Sequence, residues 1–185
     1  ASQLSLYLTC SLKYRFQYVD LVPRPWRPAA LAFGSSVHAA IEWFHRERQE
    51  GETPDVEKAI LIFEADWYAQ NIDPLVFPER ESSEILLQKG GSMLRGYLST
   101  LSTDPPKAIE QPFEVELFDP ESGEVLDVNF RGIVDLVEAD DTLVDVKTAA
   151  KKPDAISLER HLQLSIYALV HFLKHQTIPK LRLDA

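Results

Sequence analysis

The sequence predicts a mixed α/β (α+β) domain, with helices flanking a central mixed β-sheet in the order helix, three strands, helix and strand. Apolar residues recur at helical spacing through the first half of the chain, and after Pro105-Pro106 they alternate with polar residues, as in half-buried strands. The length of 185 residues suits one domain, predicted at 1–185, with a helical N-terminal part and insertion at 1–108 and a β-sheet core at 109–185. Because the chain closes abruptly on a strand-like segment, we expect a truncated C-terminus.

The predicted helices before the sheet each have apolar residues near helical spacing. Serine residues mark the starts of several of them, and glycine or proline marks several ends. The predicted ranges are 4–20, 35–50, 55–71 and 82–101. The pair Gly90-Gly91 weakens the last prediction, because glycine inside a helix costs about 1 kcal/mol relative to alanine.

The remaining elements begin with a three-stranded meander. Alternation of apolar and acidic residues predicts the first strand, and turns with polar residues or glycine precede the next two. The predicted strands lie at 113–118, 125–137 and 143–147, followed by a helix at about 157–175 and a terminal strand at 180–183.

Two acids and a lysine occupy strands that are otherwise apolar. A carboxylate among aliphatic residues, such as Asp135 or Asp145, is costly to bury unless it meets a cation, a metal or several donors. A three-residue loop at 139–141 would place these acids opposite each other on one face, with Lys147 on the same face, whereas a two-residue loop would separate them. We therefore predict a divalent metal site. The alternative is a hairpin face with ordinary surface charges.

The charge of the chain is unevenly distributed. The formal net charge is −10 at pH 7, which disfavours non-specific binding to nucleic acid, where lysine and arginine neutralise phosphates. Residues 1–33, however, hold four basic residues and one acid, a local charge of +3. A single cysteine, no apolar run of membrane-spanning length and no leader predict a cytoplasmic protein that does not associate with membranes.

Five short motifs, in this order on these elements, resemble those of the PD-(D/E)XK nuclease superfamily, and specifically its RecB-like exonuclease branch. They are the segment 10–16, Gly34-x-x-x-His38, the segment 132–135, Asp145-x-Lys147 and Gln163-x-x-x-Tyr167. The resemblance covers nearly the whole chain. It implies a restriction-endonuclease-like core of order αβββαβ, with a helical insertion between the first core helix and the first strand.

The resemblance implies a metal centre with one or two Mg²⁺ or Mn²⁺ ions. The implied ligands are His38, Asp135, Asp145 and the main-chain carbonyl of Val146. Lys147 would be the catalytic lysine, acting with both acids. For His38 the alternative is a half-buried helix histidine or one paired with Glu42 at i, i+4.

The family often takes a further acid from its first strand, and this chain offers Glu110 and Glu114. The alternative for either is a strand acid that faces solvent. Gln163 and Tyr167 lie one turn apart and would contact phosphate or support the metal centre. Their alternative is a pair that fills a groove on the helix surface.

The candidate contacts to DNA are basic residues in two parts of the chain. They are Lys13, Arg15, Lys151, Lys152 and Arg160. Lys13 and Arg15 stand among aromatic residues, a composition typical of a platform for single strands, although such aromatics also form cores. The downstream residues would meet the substrate backbone, or else belong to a solvated loop and helix start.

The resemblance implies a divalent-metal-dependent DNA nuclease. We expect an exonuclease that acts on single strands or DNA ends in repair or recombination, with a helicase or recombination partner. The alternatives are a catalytically silent module of the same fold that binds DNA or a helicase, and a hydrolase of another substrate or a structural domain. A [4Fe-4S] cluster needs four thiolates and is not expected with Cys10 alone, which we expect to be a buried helix residue.

Overall fold

The computed structural model describes residues 2–70, 74–148 and 161–185. The chain divides into two compact units: a helical unit, Val22–Pro105, and a sheet unit, made of Ala1–Leu21 and Pro106–Ala185. Within the described residues, no helix has both the length and the apolar character that crossing a membrane requires.

The N-terminal segment of the sheet unit is broken where one helix was predicted. Helix α1 (Ser2–Thr9) is followed by α2 (Ser11–Tyr14) and by a π-helical turn (Arg15–Val19). Cys10 separates the two helices in an extended conformation and is exposed, so the expectation of a buried helix cysteine is wrong. The Thr9 hydroxyl donates to the Ser5 carbonyl at 2.8 Å, a local bond that competes with regular helix geometry.

The helical unit contains three long helices and a short pair of parallel strands. Its elements are β1 (Arg27–Pro28), α3 (Ala29–Gln49), α4 (Val56–Gln70), β2 (Leu75–Val76) and α5 (Ser83–Leu98). The predicted helices are confirmed, but α3 begins well before Ser35. It starts directly after Pro28, because Ala29, Ala32 and Phe33 extend its buried face by more than a turn.

Aromatic rings form the centre of the helical unit. Phe33 packs edge-to-face on Phe63 and on Trp67, with ring centroids 5.8 and 6.4 Å apart. Phe63 and Trp67 are fully buried, and the indole Nε1 of Trp67 donates to Ser83 Oγ at 2.9 Å. The polar end of the buried indole is therefore satisfied within the same unit.

Gly90 explains how α5 continues through its glycine pair. A Cβ at position 90 would lie 2.2 Å from the Cζ atom of Phe63, so the close approach of α5 to this ring requires glycine. We expect Gly90→Ala to lower the free energy of unfolding by about 1–3 kcal/mol through overpacking. Thermal unfolding should show a drop of several degrees.

Gly96 in the same helix supplies the matched control, because a Cβ there meets no atom of the described residues within 4 Å. Gly96→Ala should leave the protein unchanged or stabilise it by up to about 1 kcal/mol through helix propensity alone. Equal melting temperatures for the two variants would contradict the close contact at Gly90.

In the described part of the sheet unit, four strands pair in the order β3-β4-β5-β6. The strands are β3 (Ala108–Phe118), β4 (Val125–Val137), β5 (Leu143–Val146) and β6 (Leu181–Asp184). The pairs β3–β4 and β4–β5 are antiparallel, and β5–β6 is parallel. The predicted meander and mixed sheet are confirmed.

The loop between β4 and β5 has the odd length on which the predicted metal site depends. The Glu138 amide donates to the Thr142 carbonyl at 2.9 Å, which leaves the three-residue loop 139–141. The Asp141 amide donates back to the Glu138 carbonyl at 3.0 Å, and Asp141 has φ 67°. A turn that ends on a left-handed residue is a common geometry for such a loop.

Helix α6 (Leu162–His175) connects toward β6 and covers one face of the sheet. The predicted start near residue 157 lies outside the described residues. The core between helix and sheet is apolar on both sides: it contains Phe113, Val115, Val134, Leu143, Leu164, Ile166, Tyr167 and Val170. This packing fixes α6 over the strands that carry the two predicted acids.

Candidate metal centre

Three acids lie opposite one another on neighbouring strands of the sheet. The β3–β4 register places Glu110 opposite Asp135, between the pairs Ile109–Leu136 and Gln111–Val134. The β4–β5 register, which pairs Leu136 with Val144, extends to place Asp135 opposite Asp145. Directly opposed residues have Cβ atoms about 5 Å apart. We call Glu110, Asp135 and Asp145 the acid row.

Asp135 is the central member of the acid row and links two strands. One of its carboxylate oxygens lies within 4.8 Å of a carboxylate oxygen of Glu110. Its Oδ2 accepts a hydrogen bond from the Val146 amide on β5 at 2.8 Å. A charge-assisted bond of this kind is stronger than one between neutral groups, so Asp135 also holds the end of β5 against β4.

The two candidates for the additional acid, Glu110 and Glu114, have different surroundings in the structure. Glu114 is exposed and accepts hydrogen bonds from Asn129 at 2.6 Å and from Arg131 at 2.9 Å, as a strand acid facing solvent does. Glu110 is half-buried and has φ 48°. A left-handed backbone costs a non-glycine residue about 1–2 kcal/mol, and such positions cluster at functional sites. Only Glu110 of the two belongs to the acid row.

Asp145 is the most deeply buried member of the acid row, with no exposed area. Its Oδ1 accepts from Lys147 Nζ at 2.8 Å. Its Oδ2 is also buried and meets no hydrogen-bond donor within residues 2–70, 74–148 and 161–185. Burial raises the pKa of Asp145, and the neighbouring charge of Asp135 raises it further, while Lys147 lowers it.

The acid row offers oxygen atoms of the kind that a hard divalent cation prefers as ligands. Mg²⁺ and Mn²⁺ prefer carboxylate and carbonyl oxygens, and the acid row supplies three carboxylates. A buried carboxylate oxygen without a donor is costly, and a cation removes that cost. The oxygen Oδ2 of Asp145 is therefore an observation in this structure that fits a bound ion.

Lys147 follows β5 and stays close to the acid row. Its side chain is 39% exposed, so its ammonium group contacts both Asp145 and solvent. Its main-chain amide donates to the Asp184 carbonyl at 2.8 Å, which ties the end of β5 to β6. Sequence reasoning missed this contact with Asp184, because it arises from the parallel pairing of strands that are distant in sequence.

Gln163 and Tyr167 form a hydrogen-bonded pair on α6. The Tyr167 hydroxyl donates to the Ile133 carbonyl on β4 at 2.9 Å and accepts from Gln163 Nε2 at 2.8 Å. Tyr167 is 1% exposed, and burial raises the pKa of its hydroxyl, with Asp135 adding to the effect. The hydroxyl thus connects α6 to the strand that carries Asp135.

His38 belongs to the helical unit and lies on α3, one turn after Gly34. It is half-buried. The carboxylate of Glu42, which the alternative interpretation pairs with His38, accepts from Arg46 at 2.6 Å. Glu42 therefore forms an ion pair with Arg46.

Two of the five basic candidates for DNA contact lie within the described residues. Lys13 is exposed on α2, and Arg15 forms an ion pair with Asp20 at 3.1 Å. The others, Lys151, Lys152 and Arg160, lie outside the described residues. The segment α1 to Val19 has no buried residue, so its aromatic side chains do not form a core there.

The Glu110→Gln variant tests whether Glu110 contributes to metal binding by the acid row. We expect this variant to bind Mn²⁺ at least about 10-fold more weakly than the wild type, because it removes one charged oxygen ligand. Calorimetric titration measures the change. Glu114→Gln, on the same strand, should leave the affinity unaltered, and an equal loss in both variants would contradict the assignment of Glu110.

A comparison with protein families gives a match that covers nearly the whole chain. A model of the PD-(D/E)XK nuclease superfamily matches residues 1–180, a range that includes the acid row, Lys147 and most of the described sheet. Comparisons with curated proteins and with solved structures gave no significant match.

Proposed function

Since this chain belongs to the PD-(D/E)XK nuclease superfamily, we propose that it is a divalent-metal-dependent deoxyribonuclease that hydrolyses phosphodiester bonds. The observation that carries the proposal is Asp145, a fully buried carboxylate beside Lys147 whose second oxygen meets no donor within the described residues. A catalytically silent module of the same fold would gain nothing from a buried carboxylate that destabilises the folded protein. We further propose that the whole chain, residues 1–185, acts as one nuclease domain.

The proposed metal ligands combine the acid row with residues taken from the family motifs. Asp135, Asp145 and Glu110 supply carboxylates, and the Val146 carbonyl adds a neutral oxygen. His38 is proposed as a further ligand on the basis of the Gly34-x-x-x-His38 motif. An imidazole ligand favours Mn²⁺ over Mg²⁺, so His38→Ala should weaken Mn²⁺ binding more than Mg²⁺ binding.

The side chains around the acid row have separate tasks in hydrolysis. A bound divalent ion would polarise the scissile phosphate and lower the pKa of a water molecule. Lys147 places its positive charge where a non-bridging phosphate oxygen gains negative charge as water attacks phosphorus. The bond from phosphorus to the 3′ oxygen breaks, and that oxygen takes a proton. The products are a 5′-phosphate and a 3′-hydroxyl.

Two residues hold this arrangement in place. Asp135 accepts a hydrogen bond from the Val146 amide, which fixes the peptide before Lys147. The Tyr167 hydroxyl donates a hydrogen bond to the Ile133 carbonyl, which holds α6 against β4. Positioning of this kind supplies much of the acceleration in phosphoryl transfer, because the protein forms no covalent intermediate. Gln163 orients the Tyr167 hydroxyl.

We propose a RecB-like exonuclease that acts on single strands or DNA ends, in repair or recombination and in the cytoplasm, with a helicase as its partner. The motifs at 10–16 and 34–38 support this branch. The exposed Tyr7 and Phe16, which flank Lys13 in the sequence, suit base stacking beside phosphate contacts. Lys151, Lys152 and Arg160 are proposed to add backbone contacts.

The assay of function compares substrates that differ in one property at a time. Labelled linear and circular single-stranded DNA, linear duplex DNA and RNA of the same sequence are incubated with Mn²⁺, with Mg²⁺ and with a chelator. We expect products from linear single-stranded DNA with either ion and none with the chelator. Cleavage of circular DNA would contradict the exonuclease, and the absence of metal-dependent products from every substrate would contradict the nuclease.

A further inference from the structure

Two histidines lie together at the end of α6, on the far part of the helix from Gln163. His171 and His175 are spaced i, i+4, which places them on one face of the helix. Their ring centroids are 4.6 Å apart. Two imidazoles at this spacing on a helix are a common arrangement for a zinc site.

The hydrogen bond of His171 favours one ring nitrogen for ligation. Gln176, with φ 57°, reverses the chain after α6 and returns Thr177 toward the helix. His171 Nε2 lies 3.0 Å from Thr177 Oγ1. If Nε2–H donates to this hydroxyl, Nδ1 keeps its lone pair, as in metal-bound histidines whose second nitrogen is hydrogen-bonded.

A carboxylate lines the same cavity as the histidine pair. Asp141 lies in the three-residue loop between β4 and β5, and its Oδ1 pairs with Lys107 Nζ at 2.6 Å. The three side chains line a cavity of about 690 Å³. A neutral His171 is the form that can bind a metal.

We propose that His171 and His175 bind a second metal ion, Zn²⁺ or a similar transition-metal ion, and that Asp141 leaves its ion pair with Lys107 to complete the site. Two imidazoles and a carboxylate differ from the oxygen ligands of the acid row and match the ligand set of zinc. The C-terminal end of α6 adds a favourable dipole for a cation. An ion held there would join α6 to the β4–β5 loop. The length of this loop sets the register that places Asp135 opposite Asp145.

The site can be tested apart from nuclease activity. Zn²⁺ is titrated calorimetrically into tag-free Asp135→Asn protein, in which the acid row is weakened and no affinity-tag histidine competes. We expect one bound Zn²⁺ per chain. Adding His171→Ala or His175→Ala should weaken binding by about 100-fold or more, and Thr177→Val by about 10-fold, the usual effect of losing an outer hydrogen bond.

Two further variants separate ligation from a simple effect of charge. Asp141→Asn keeps a residue that tolerates the left-handed backbone and should weaken Zn²⁺ binding, whereas Lys174→Ala, next to His175, should not. The ring NMR signals of His171 and His175 should shift on addition of Zn²⁺. Unchanged affinity in His171→Ala or His175→Ala, or no zinc bound at millimolar concentration, would overturn the proposal.

Discussion

Asp145→Asn is expected to lower nuclease activity by about 100-fold to 1,000-fold or more, while the metal-free protein stays at least as stable as the wild type. We expect the activity to fall because asparagine removes the charge of one of the proposed ligands in the acid row. The stability is retained because burial raises the pKa of Asp145 from 3.8, so the ionised carboxylate is unfavourable in the folded protein. Asparagine has nearly the same shape and no charge.

The direction of the pH dependence follows from this raised pKa. Between 3.8 and the higher folded pKa, the folded protein binds more protons at Asp145 than the unfolded chain does. The stability of the metal-free wild type should therefore fall as pH rises through that interval, and the variant should lack this contribution. Thermal unfolding of both proteins across pH 4–8, in the presence of a chelator, measures the difference.

Added metal should reverse the order of stability of the wild type and the Asp145→Asn variant. At a concentration of 100 times its Kd, an ion that binds only the folded state adds about 2.7 kcal/mol, or about 5–10 °C in melting temperature for a chain of this size. The wild type should gain this increment with Mn²⁺, and Asp145→Asn should gain much less. A variant that is strongly destabilised without metal would contradict the account of Asp145 as a group retained for catalysis.

Lys147→Met should lower the rate of hydrolysis by about 100-fold to 1,000-fold while it leaves Mn²⁺ affinity within a few-fold of the wild type. The ammonium group is not a metal ligand, and removing a nearby positive charge does not weaken binding of a cation. Its loss removes the charge that offsets the developing negative charge on phosphate. Single-turnover cleavage at saturating Mn²⁺, together with calorimetry, separates the two effects.

Lys89→Met is the matched control for this substitution, because Lys89 lies on α5 in the helical unit and forms an ion pair with Glu81 at the longer distance of 3.6 Å. Its activity should equal that of the wild type. A parallel loss of metal affinity and activity in Lys147→Met would show that the lysine acts through the metal centre and not on the substrate.

The β4–β5 hairpin was predictable because its determinants are local. A polar turn between two apolar runs limits the loop to a few lengths, and the loop length alone fixes whether Asp135 faces Asp145. The sequence pattern left a two-residue and a three-residue loop open, and the hydrogen bond from the Glu138 amide to the Thr142 carbonyl decides for three residues. The predicted order of strands and the final helix rest on similar local signals.

The choice between Glu110 and Glu114 was not predictable, because it depends on pairing across strands. Glu110 enters the acid row through the β3–β4 register and a left-handed φ, neither of which has a signal in the alternation of the strand. The start of α3 and the break at Cys10 were missed for a related reason. Helix ends depend on what the flanking residues bury, and periodicity alone does not contain that information.

If the acid row forms a catalytic metal centre, Asp135→Asn should lose most of the metal-dependent cleavage. Wild type and variant are incubated with end-labelled linear single-stranded DNA, with Mn²⁺ or a chelator, after circular dichroism has shown that both are folded. We expect Mn²⁺-dependent products from the wild type and at least about 100-fold fewer from Asp135→Asn. Equal cleavage by the two folded proteins would show that Asp135 is not needed for catalysis.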